Sequence, residues 1–377
     1  MTEAAHGLDG ANEKQEYVPQ SILLTGGAGF IGSHVLRKVL TTFPDTKVVV
    51  LDNLSYCASV KNLDEALEHP NCTFVHGSIT SSDLVVYVLE KEEVDTVLHF
   101  AAETHVDNSF GNSFKFTQTN VMGTHVLLEA CKRLNGQIRR FIHVSTDEVY
   151  GESLGNESFL EESVLEPTNP YAASKAAAEF MVKAYHRSFK LPVIITRGNN
   201  VYGPNQYPEK IVPKFIHQMM RDIPLTVHGD GSTLRNMLFV SDVADAFITI
   251  VRFAEPGQTL NIGGSQELSV MDISSAILDS FGRNSEEGRK KWVYFAEDRK
   301  FNDTRYNIDN SKLLELGWKP KVDFKTGLQT TLEWYKAHPN HWGSIEHALA
   351  AHPRVLGEDG SHEPPLPFHH ARHGQRR

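Results

Sequence analysis

Three groups of residues in this chain could do chemistry. Thr146-Asp147-Glu148 sets a hydroxyl and two carboxyls side by side. Adjacent carboxylates push each other's pKa values apart, which gives one acid and one base. Tyr171 and Lys175 stand four residues apart, so on a helix they share a face. An ammonium beside a phenol favours the phenolate, a base suited to removing a hydroxyl proton while hydride leaves the same carbon. Gly27, Gly29 and Gly32 spell G-x-G-x-x-G inside Thr25-Gly-Gly-Ala-Gly-Phe-Ile-Gly32. That spacing permits a tight turn and close approach of backbone to a pyrophosphate at a helix N-terminus. Asp52 lies at the roughly 20-residue distance where a carboxylate binds the adenosine ribose 2′-hydroxyl of a dinucleotide. It would repel a 2′-phosphate, so NAD is favoured over NADP. Taken singly, each group has a plainer reading: a glycine turn, a helix-surface pair, a solvated acidic loop tip. Taken together they describe hydride transfer at a secondary alcohol, with an acid/base pair that a simple dehydrogenase does not need.

The elements that position these groups are legible in the hydrophobic pattern. Ser21–Thr25, Lys47–Asp52, Cys72–His76, Thr96–Phe100, Arg140–Ser145 and Pro192–Thr196 are short apolar runs of the kind buried on both faces of a parallel sheet. Helical patterns separate them. Ile31, Val35 and Val39 fall on one face, Val121, Leu128 and Cys131 on another, and Ala172 to Tyr185 keeps the same period. Alternating strands and helices predict a doubly wound α/β domain with right-handed crossovers. Thr146 follows directly on a strand, where adjacent side chains point to opposite faces. Both carboxyls can flank one substrate only if the chain bends there, and Tyr150-Gly151 suits a bend. Residues 1–19 are expected to be a disordered extension, 20–200 the dinucleotide domain, and 201–343 a smaller lobe woven onto it, with strands near Leu238–Val240 and Leu260–Ile262. Residues 344–377 are expected to be a mostly disordered, His-rich tail.

Composition narrows the class. The 377 residues carry 37 basic and 47 acidic side chains, a net charge of −10, and no domain-wide basic footprint for nucleic acid. Cys57, Cys72 and Cys131 are far apart and form no CxxC, so neither a disulfide framework nor a metal site is expected, and a reducing compartment fits. The N-terminus lacks an apolar signal region, and no run reaches the ~18 apolar residues of a membrane span. The expectation is a cytoplasmic protein without membrane or nucleic-acid partners.

TGGAGFIG, HFAAETHVD, STDEVYG, PTNPYAASKAAAE, GNNVYGPNQYPEKIVPKFI and FNDTRY resemble the extended short-chain dehydrogenase/reductases, and within them the nucleotide-sugar 4,6-dehydratases, from about residue 20 to 343. The resemblance implies a Rossmann-type sheet and bound NAD. VDNSFGNSFKFTQTNVMGTHVLLEACK and TRGNNVYGPNQ look most like the dehydratase half of eukaryotic rhamnose synthases, which act on UDP-glucose. The second half of such enzymes is not expected, since the chain stops soon after Trp342. Related 4-epimerases usually lack the Asp-Glu pair, and the decarboxylases that make UDP-xylose have Ser at the place of Asp147. The implied mechanism has Tyr171, helped by Lys175 and Thr146, take the 4-hydroxyl proton as hydride leaves C4. Glu148 then takes the C5 proton, Asp147 protonates the departing 6-hydroxyl, and hydride returns to C6.

Carried over by motif, Gly26, Gly29, Phe30, Ile31, Gly32, Asp52, Asn53, Ser78, Ile79, Ala101, Ala102, Thr119, Tyr171 and Lys175 line the NAD site. Thr104, Thr146, Asn200, Glu209, Lys210, Arg235, Asn261, Arg299 and Asn302 line the nucleotide-sugar site, where Lys210, Arg235 and Arg299 would meet a diphosphate. The family likeness also implies a homodimer through the helices near Val121–Leu134 and Ala172–Tyr185. Rival readings are a dTDP-glucose 4,6-dehydratase, a 4-epimerase and a non-catalytic NAD-binding protein. One position departs from the family: Gly77-Ser78-Ile79 replaces Gly-Asp-Ile, whose Asp faces the adenine amino group. A hydroxyl accepts a hydrogen bond less strongly than a carboxylate, which predicts looser NAD retention than in Ser78→Asp. Equal retention of NAD by the two proteins through gel filtration would contradict this.

Overall fold

The computed structural model describes residues 16–350 apart from 135, 154, 156, 265 and 298–304. Seven parallel strands form the main sheet. They are β1 (Ser21–Thr25), β2 (Lys47–Asp52), β3 (Cys72–His76), β4 (Thr96–His99), β5 (Arg140–Thr146), β6 (Val193–Gly198) and, later in the chain, Thr259–Ile262. The smaller lobe contributes β7 (Asn200–Tyr202), β8 (Leu225–His228), β9 (Leu234–Phe239), β11 (Glu267–Ser269) and β12 (Val293–Ala296), with Thr259–Ile262 as β10. The order across the main sheet is β10-β6-β5-β4-β1-β2-β3. Chain order therefore reverses between β1 and β4, and ligands of doubly wound sheets bind at such a switch point, beyond the carboxyl ends of the strands.

The continuous apolar runs are explained by burial on both faces. Ile22, Leu24, Val48, Val50 and Ile142 pack on the helices Phe30–Thr42 and Val240–Phe253. Leu23, Val49, Val97, Phe141 and Val193 pack on Ser82–Lys91, Thr124–Arg133 and Pro170–Phe189. The smaller lobe holds three strands in the order β11-β9-β7, a β12-β8 pair and its own apolar core around Phe215, Ile277 and Leu332.

Three local readings differ from the sequence pattern. Leu260 belongs not to the smaller lobe but to the edge strand of the main sheet, paired with β6. The helix expected from Val121 is preceded by a π-helical stretch, Thr117–Gly123, before the α-helix Thr124–Arg133 begins. Tight packing accompanies this stretch: a Cβ on Gly123 would fall 2.4 Å from Ile79 Cδ1. Ordered structure also continues past 343, because Ile345, Ala348 and Leu349 are buried against Tyr207. The remainder of the predicted tail, residues 351–377, and residues 1–15 lie outside the described residues. Tyr17, inside the predicted extension, bonds Thr96 Oγ1 at 2.8 Å.

Two side chains join the parts. Asn62 donates to the Ala28 carbonyl in the glycine turn at 2.8 Å, while its oxygen accepts from Asn205 at 3.1 Å and bonds His341 Nε2 at 2.8 Å. Arg197, fully buried on β6, donates to both oxygens of the equally buried Glu179 at 2.6–3.2 Å. It also reaches Tyr150 Oη at 2.7 Å and the Glu161 carbonyl at 3.0 Å. Removing one partner of a buried pair strands the other charge. Glu179→Ala should therefore lose about 3–5 kcal/mol of stability in denaturant unfolding. A loss under about 1 kcal/mol, the range of an exposed pair, would show that the pair is not what holds these elements.

Candidate active site

A cavity of about 430 Å³ opens at the carboxyl ends of β1, β4 and β5 and extends under the smaller lobe. One end is the glycine turn. Gly26 has φ +73°, and a Cβ there would fall 2.6 Å from Ala101 N, so only glycine allows the turn to press on the next strand. A Cβ on Gly32 would fall 2.3 Å from the Gly26 carbonyl. No side chain caps the helix that starts at Phe30, and its first turn carries no acid, which leaves the positive helix end for an anion. Asp52 accepts the N–H groups of Ala28 at 3.0 Å and Leu54 at 2.8 Å, and burial raises its pKa. The carboxylate thus also pins the turn itself. Ser78 bonds Thr80 Oγ1 at 2.8 Å and accepts the Thr80 N–H at 3.2 Å while lining the cavity. Asn53, Ile79, Ala101, Ala102 and Thr119 complete this end. A cradle closed by glycine, an uncapped helix end and a carboxylate at the end of β2 suit the pyrophosphate and ribose of NAD.

At the other end the chain bends as the acid pair requires. β5 stops at Thr146, whose hydroxyl caps a single 3₁₀ turn, Asp147–Tyr150, by accepting the Glu148 N–H at 3.3 Å. Gly151 follows with φ +82°. Both carboxyls consequently reach the cavity. Asp147 is 2% exposed and receives Asn199 Nδ2 at 2.7 Å and Thr146 Oγ1 at 3.1 Å. Its pKa is pushed up to about 7, first by burial and then by the charge of Glu148, against the opposing pull of its hydrogen bonds and of Arg235. Glu148 is less buried and accepts Asn169 Nδ2 at 3.1 Å. One neighbour is therefore poised as an acid and the other is held as an acceptor.

Tyr171 and Lys175 enter from the helix Pro170–Phe189, capped by Asn169, whose oxygen accepts the Ala172 N–H at 2.9 Å. The Tyr171 phenol lines the same cavity as the Thr146 hydroxyl. Its pKa lies above the ordinary value, chiefly through burial and then through the negative charges of Glu148 and Asp147. This reverses the lowering expected from the Tyr–Lys spacing. Lys175 directs Nζ to the Val144 carbonyl at 2.5 Å, and burial brings its pKa down to about 8. The protein's own groups thus hold the phenol's proton, and a positive charge beside the ring is needed to release it.

Of the residues expected at the nucleotide-sugar end, Thr104, Asn200, Glu209, Lys210 and Arg235 line the same cavity. Glu209 accepts Tyr56 Oη at 2.8 Å, and burial pushes its pKa up to about 7. Lys210 donates to the Thr104 carbonyl at 2.9 Å. Asn261 does not line the cavity. It is fully buried, accepts Tyr150 Oη at 2.8 Å and donates to the carbonyls of Phe159 and Asp309, so its amide is consumed by a structural network. Arg299 and Asn302 lie outside the described residues. Sequence reading missed Asn199 and Asn169, which hold the two carboxyls. Their only signals are the doubled Asn of Gly198-Asn-Asn200 and the Asn-Pro helix start. Among the described residues no cluster of His, Cys, Asp or Glu could hold a metal ion, and no helix is long and apolar enough to cross a membrane.

Fold and cavity together define a class: a Rossmann-type NAD enzyme with an acid/base pair beside its tyrosine–lysine centre. The family model for GDP-mannose 4,6 dehydratase matches residues 23–331. A trifunctional UDP-glucose 4,6-dehydratase/UDP-4-keto-6-deoxy-D-glucose 3,5-epimerase/UDP-4-keto-L-rhamnose-reductase of Arabidopsis thaliana is 53% identical over 90% of this chain, which spans 50% of that relative's length. Human dTDP-D-glucose 4,6-dehydratase is 45% identical over 88% of this chain and 94% of its own. The solved structure of dTDP-glucose 4,6-dehydratase from Streptomyces venezuelae, with NAD bound, superposes with a TM-score of 0.81 at 40% identity, over 86% of this chain and 99% of that one. The chain belongs to the GDP-mannose 4,6-dehydratase family of NAD-dependent nucleotide-sugar enzymes.

The raised pKa of Asp147 has a direct signature. Its contribution favours the folded state below the ordinary carboxyl range and is lost as pH rises through about 7. Infrared difference spectra between wild type and Asp147→Asn should show a protonated carboxyl band at about pH 6 that vanishes as pH rises through about 7. A carboxyl already ionised at about pH 5 would contradict the assignment.

Proposed function

We propose that this protein is a UDP-glucose 4,6-dehydratase, forming UDP-4-keto-6-deoxy-glucose and water. The observation that carries the reading is the meeting of Asp147, Glu148, Thr146 and Tyr171 in one cavity, with Asp147 near neutrality. NAD held by the glycine turn, Asp52 and Asn53 would supply the hydride acceptor and donor for the sugar and, when oxidised, a positive charge. Tyr171 takes the O4 proton, with Lys175 and Thr146 as its neighbours. The C4 ketone acidifies the C5 proton, so oxidation must come first. Glu148, oriented by Asn169, removes that proton. Asp147, held by Asn199, protonates the C6 hydroxyl as it leaves. Lys210 and Arg235 are the cations for the diphosphate, and Asp52, Asn53 and the glycine turn hold the dinucleotide.

The uridine assignment is supported by the 53% identity to the plant enzyme, against 45% to the human dTDP-sugar enzyme. The dTDP-glucose reading stays second, because that relative is matched over nearly its whole length. We further propose a homodimer through the helices Thr124–Arg133 and Pro170–Phe189. Met122 and Phe180 expose apolar side chains beside and on them. Three free cysteines, two of them buried, accord with a cytoplasmic setting.

Mass spectrometry of the purified protein incubated separately with UDP-glucose and dTDP-glucose tests the substrate. Loss of one water from the UDP sugar in preference to the dTDP sugar is expected. Loss from the dTDP sugar alone would move the assignment to the second reading, and formation of UDP-galactose without water loss would replace dehydration by epimerisation.

A further inference from the structure

Residues 341–350 follow the stretch 23–331 that the family model matches, and they are packed against the outside of the cavity wall. Ile345, Ala348 and Leu349 are buried there against Tyr207, with Tyr56 and Trp342 packed around them. Tyr207 also lines the cavity, so the segment and the ligand space share a wall. At its start, His341 Nε2 bonds Asn62 Oδ1 at 2.8 Å, and Asn62 donates to the Ala28 carbonyl in the glycine turn. At its end, the Leu349 carbonyl accepts Gln218 Nε2 at 3.2 Å and the Ala350 carbonyl accepts Lys214 Nζ. Gln218 and Lys214 stand on the helix Ile211–Met220 of the smaller lobe. The segment therefore ties the glycine turn to the smaller lobe along one side of the cavity.

A chain of oriented contacts runs inward from the middle of this segment. His347 Nε2 is hydrogen-bonded to Tyr207 Oη at 2.7 Å. Tyr207, 6% exposed, meets the rings of Trp342 and Tyr56 edge-on, at centroid distances of 5.2 and 5.4 Å. Tyr56 accepts Asn108 Nδ2 at 2.9 Å and donates to Glu209 Oε2 at 2.8 Å, so the direction of its hydroxyl is set. The backbone makes a second link, because the Glu209 N–H donates to the Tyr207 carbonyl at 2.9 Å. Glu209 lines the cavity. A carboxylate has about four acceptor sites, so the bond from Tyr56 leaves Glu209 able to accept hydroxyls of a sugar nucleotide.

We infer that His347 is a positioning residue for the nucleotide-sugar end of the cavity, fixing Tyr207 and, through Tyr56 and the Tyr207 backbone, the Glu209 carboxyl. This inference rests on the dehydratase reading above. Burial of Ile345 and Leu349 closes the wall without setting an angle, since apolar burial has no direction. A hydrogen bond weakens steeply off its axis, and the bond at His347 holds the hydroxyl end of the Tyr207 ring. Without it the ring is free to tilt against Tyr56, and Glu209 loses its fixed place. The proposed chemistry at Asp147, Glu148, Tyr171 and Lys175 uses none of these residues, so the effect falls on binding rather than on the chemical steps.

The test measures kcat and KM with UDP-glucose and with dTDP-glucose in the whole chain with NAD. Calorimetry with UDP-xylose, which has no C6 hydroxyl to lose, reads binding apart from dehydration. His347→Ala should raise KM and weaken binding about fivefold, the scale of one hydrogen bond, while kcat stays within about twofold. His347→Gln, whose amide can stand in for the ring nitrogen, should bind as wild type does. Tyr207→Phe should weaken binding to the same degree, and the double variant Tyr207→Phe/His347→Ala no further, because the same bond is removed. Tyr207→Phe keeps the ring, so it tests the bond even where His347→Ala lowers the amount of folded protein. Unchanged binding in both single variants, additive losses in the double variant, or a fall in kcat alone would overturn the positioning role and leave the segment as packing. Wild type that removes water from neither sugar would instead overturn the dehydratase reading on which the role stands.

Discussion

The site depends on one buried guanidinium. Arg197 sits on β6, one strand in from the edge of the main sheet, and holds three pieces of chain at once: Glu179 on the helix that carries Tyr171 and Lys175, Tyr150 at the end of the turn that carries Asp147 and Glu148, and the carbonyl of Glu161. Glu179 is one helical turn beyond Lys175, so the pair fixes the rotation of the helix about its axis. Tyr150 in turn donates to Asn261 on β10, which ties the edge strand of the main sheet to the same network. A buried ion pair is a poor source of net stability, because desolvation offsets much of the attraction. Its effect here is geometric: every bond of the guanidinium is directional, and the acid pair and the tyrosine–lysine pair are positioned from a common point.

Given that frame, a low dielectric does the rest. Burial alone works in opposite directions on acids and bases. It raises Asp147 and Tyr171 and lowers Lys175, drawing the carboxyl and the ammonium toward neutrality. Asp147 and Glu148 are chemically almost alike, and their division follows from surroundings: one is enclosed beside Thr146 and Asn199, the other lies nearer the opening and meets Asn169. Burial and the two neighbouring acids favour the protonated phenol, and an oxidised nicotinamide bound in the cavity would supply the positive charge that favours its release.

Much of this was legible in the sequence because it is local. A glycine turn between a strand and a helix, a carboxylate closing the next strand, and an i, i+4 tyrosine–lysine pair are each contained within a few residues. The bend that brings Asp147 and Glu148 to one cavity could be anticipated from Tyr150-Gly151. What escaped was long-range. Asn261 is held by Phe159, 102 residues away, and Leu260 by pairing with Thr196 on β6. The supports Asn199 and Asn169 look like ordinary loop and cap residues until the fold sets them beside the carboxyls. The packing of Ile345 and Leu349 needs Tyr207, which no periodicity connects to them. The direction of the Tyr171 shift also escaped, because it is decided by burial and by two acids that the helix pattern does not contain.

The central claim is that oxidation and elimination are carried by different residues, with Glu148 acting only after the ketone exists. Rapid mixing of Glu148→Gln with UDP-glucose, followed by the near-ultraviolet absorbance of reduced nicotinamide, tests it most directly. Reduced nicotinamide should accumulate to about one per site while the sugar nucleotide retains its mass but for the two hydrogens removed at oxidation. Full turnover to the dehydrated sugar, with no accumulation of reduced nicotinamide, would contradict the account.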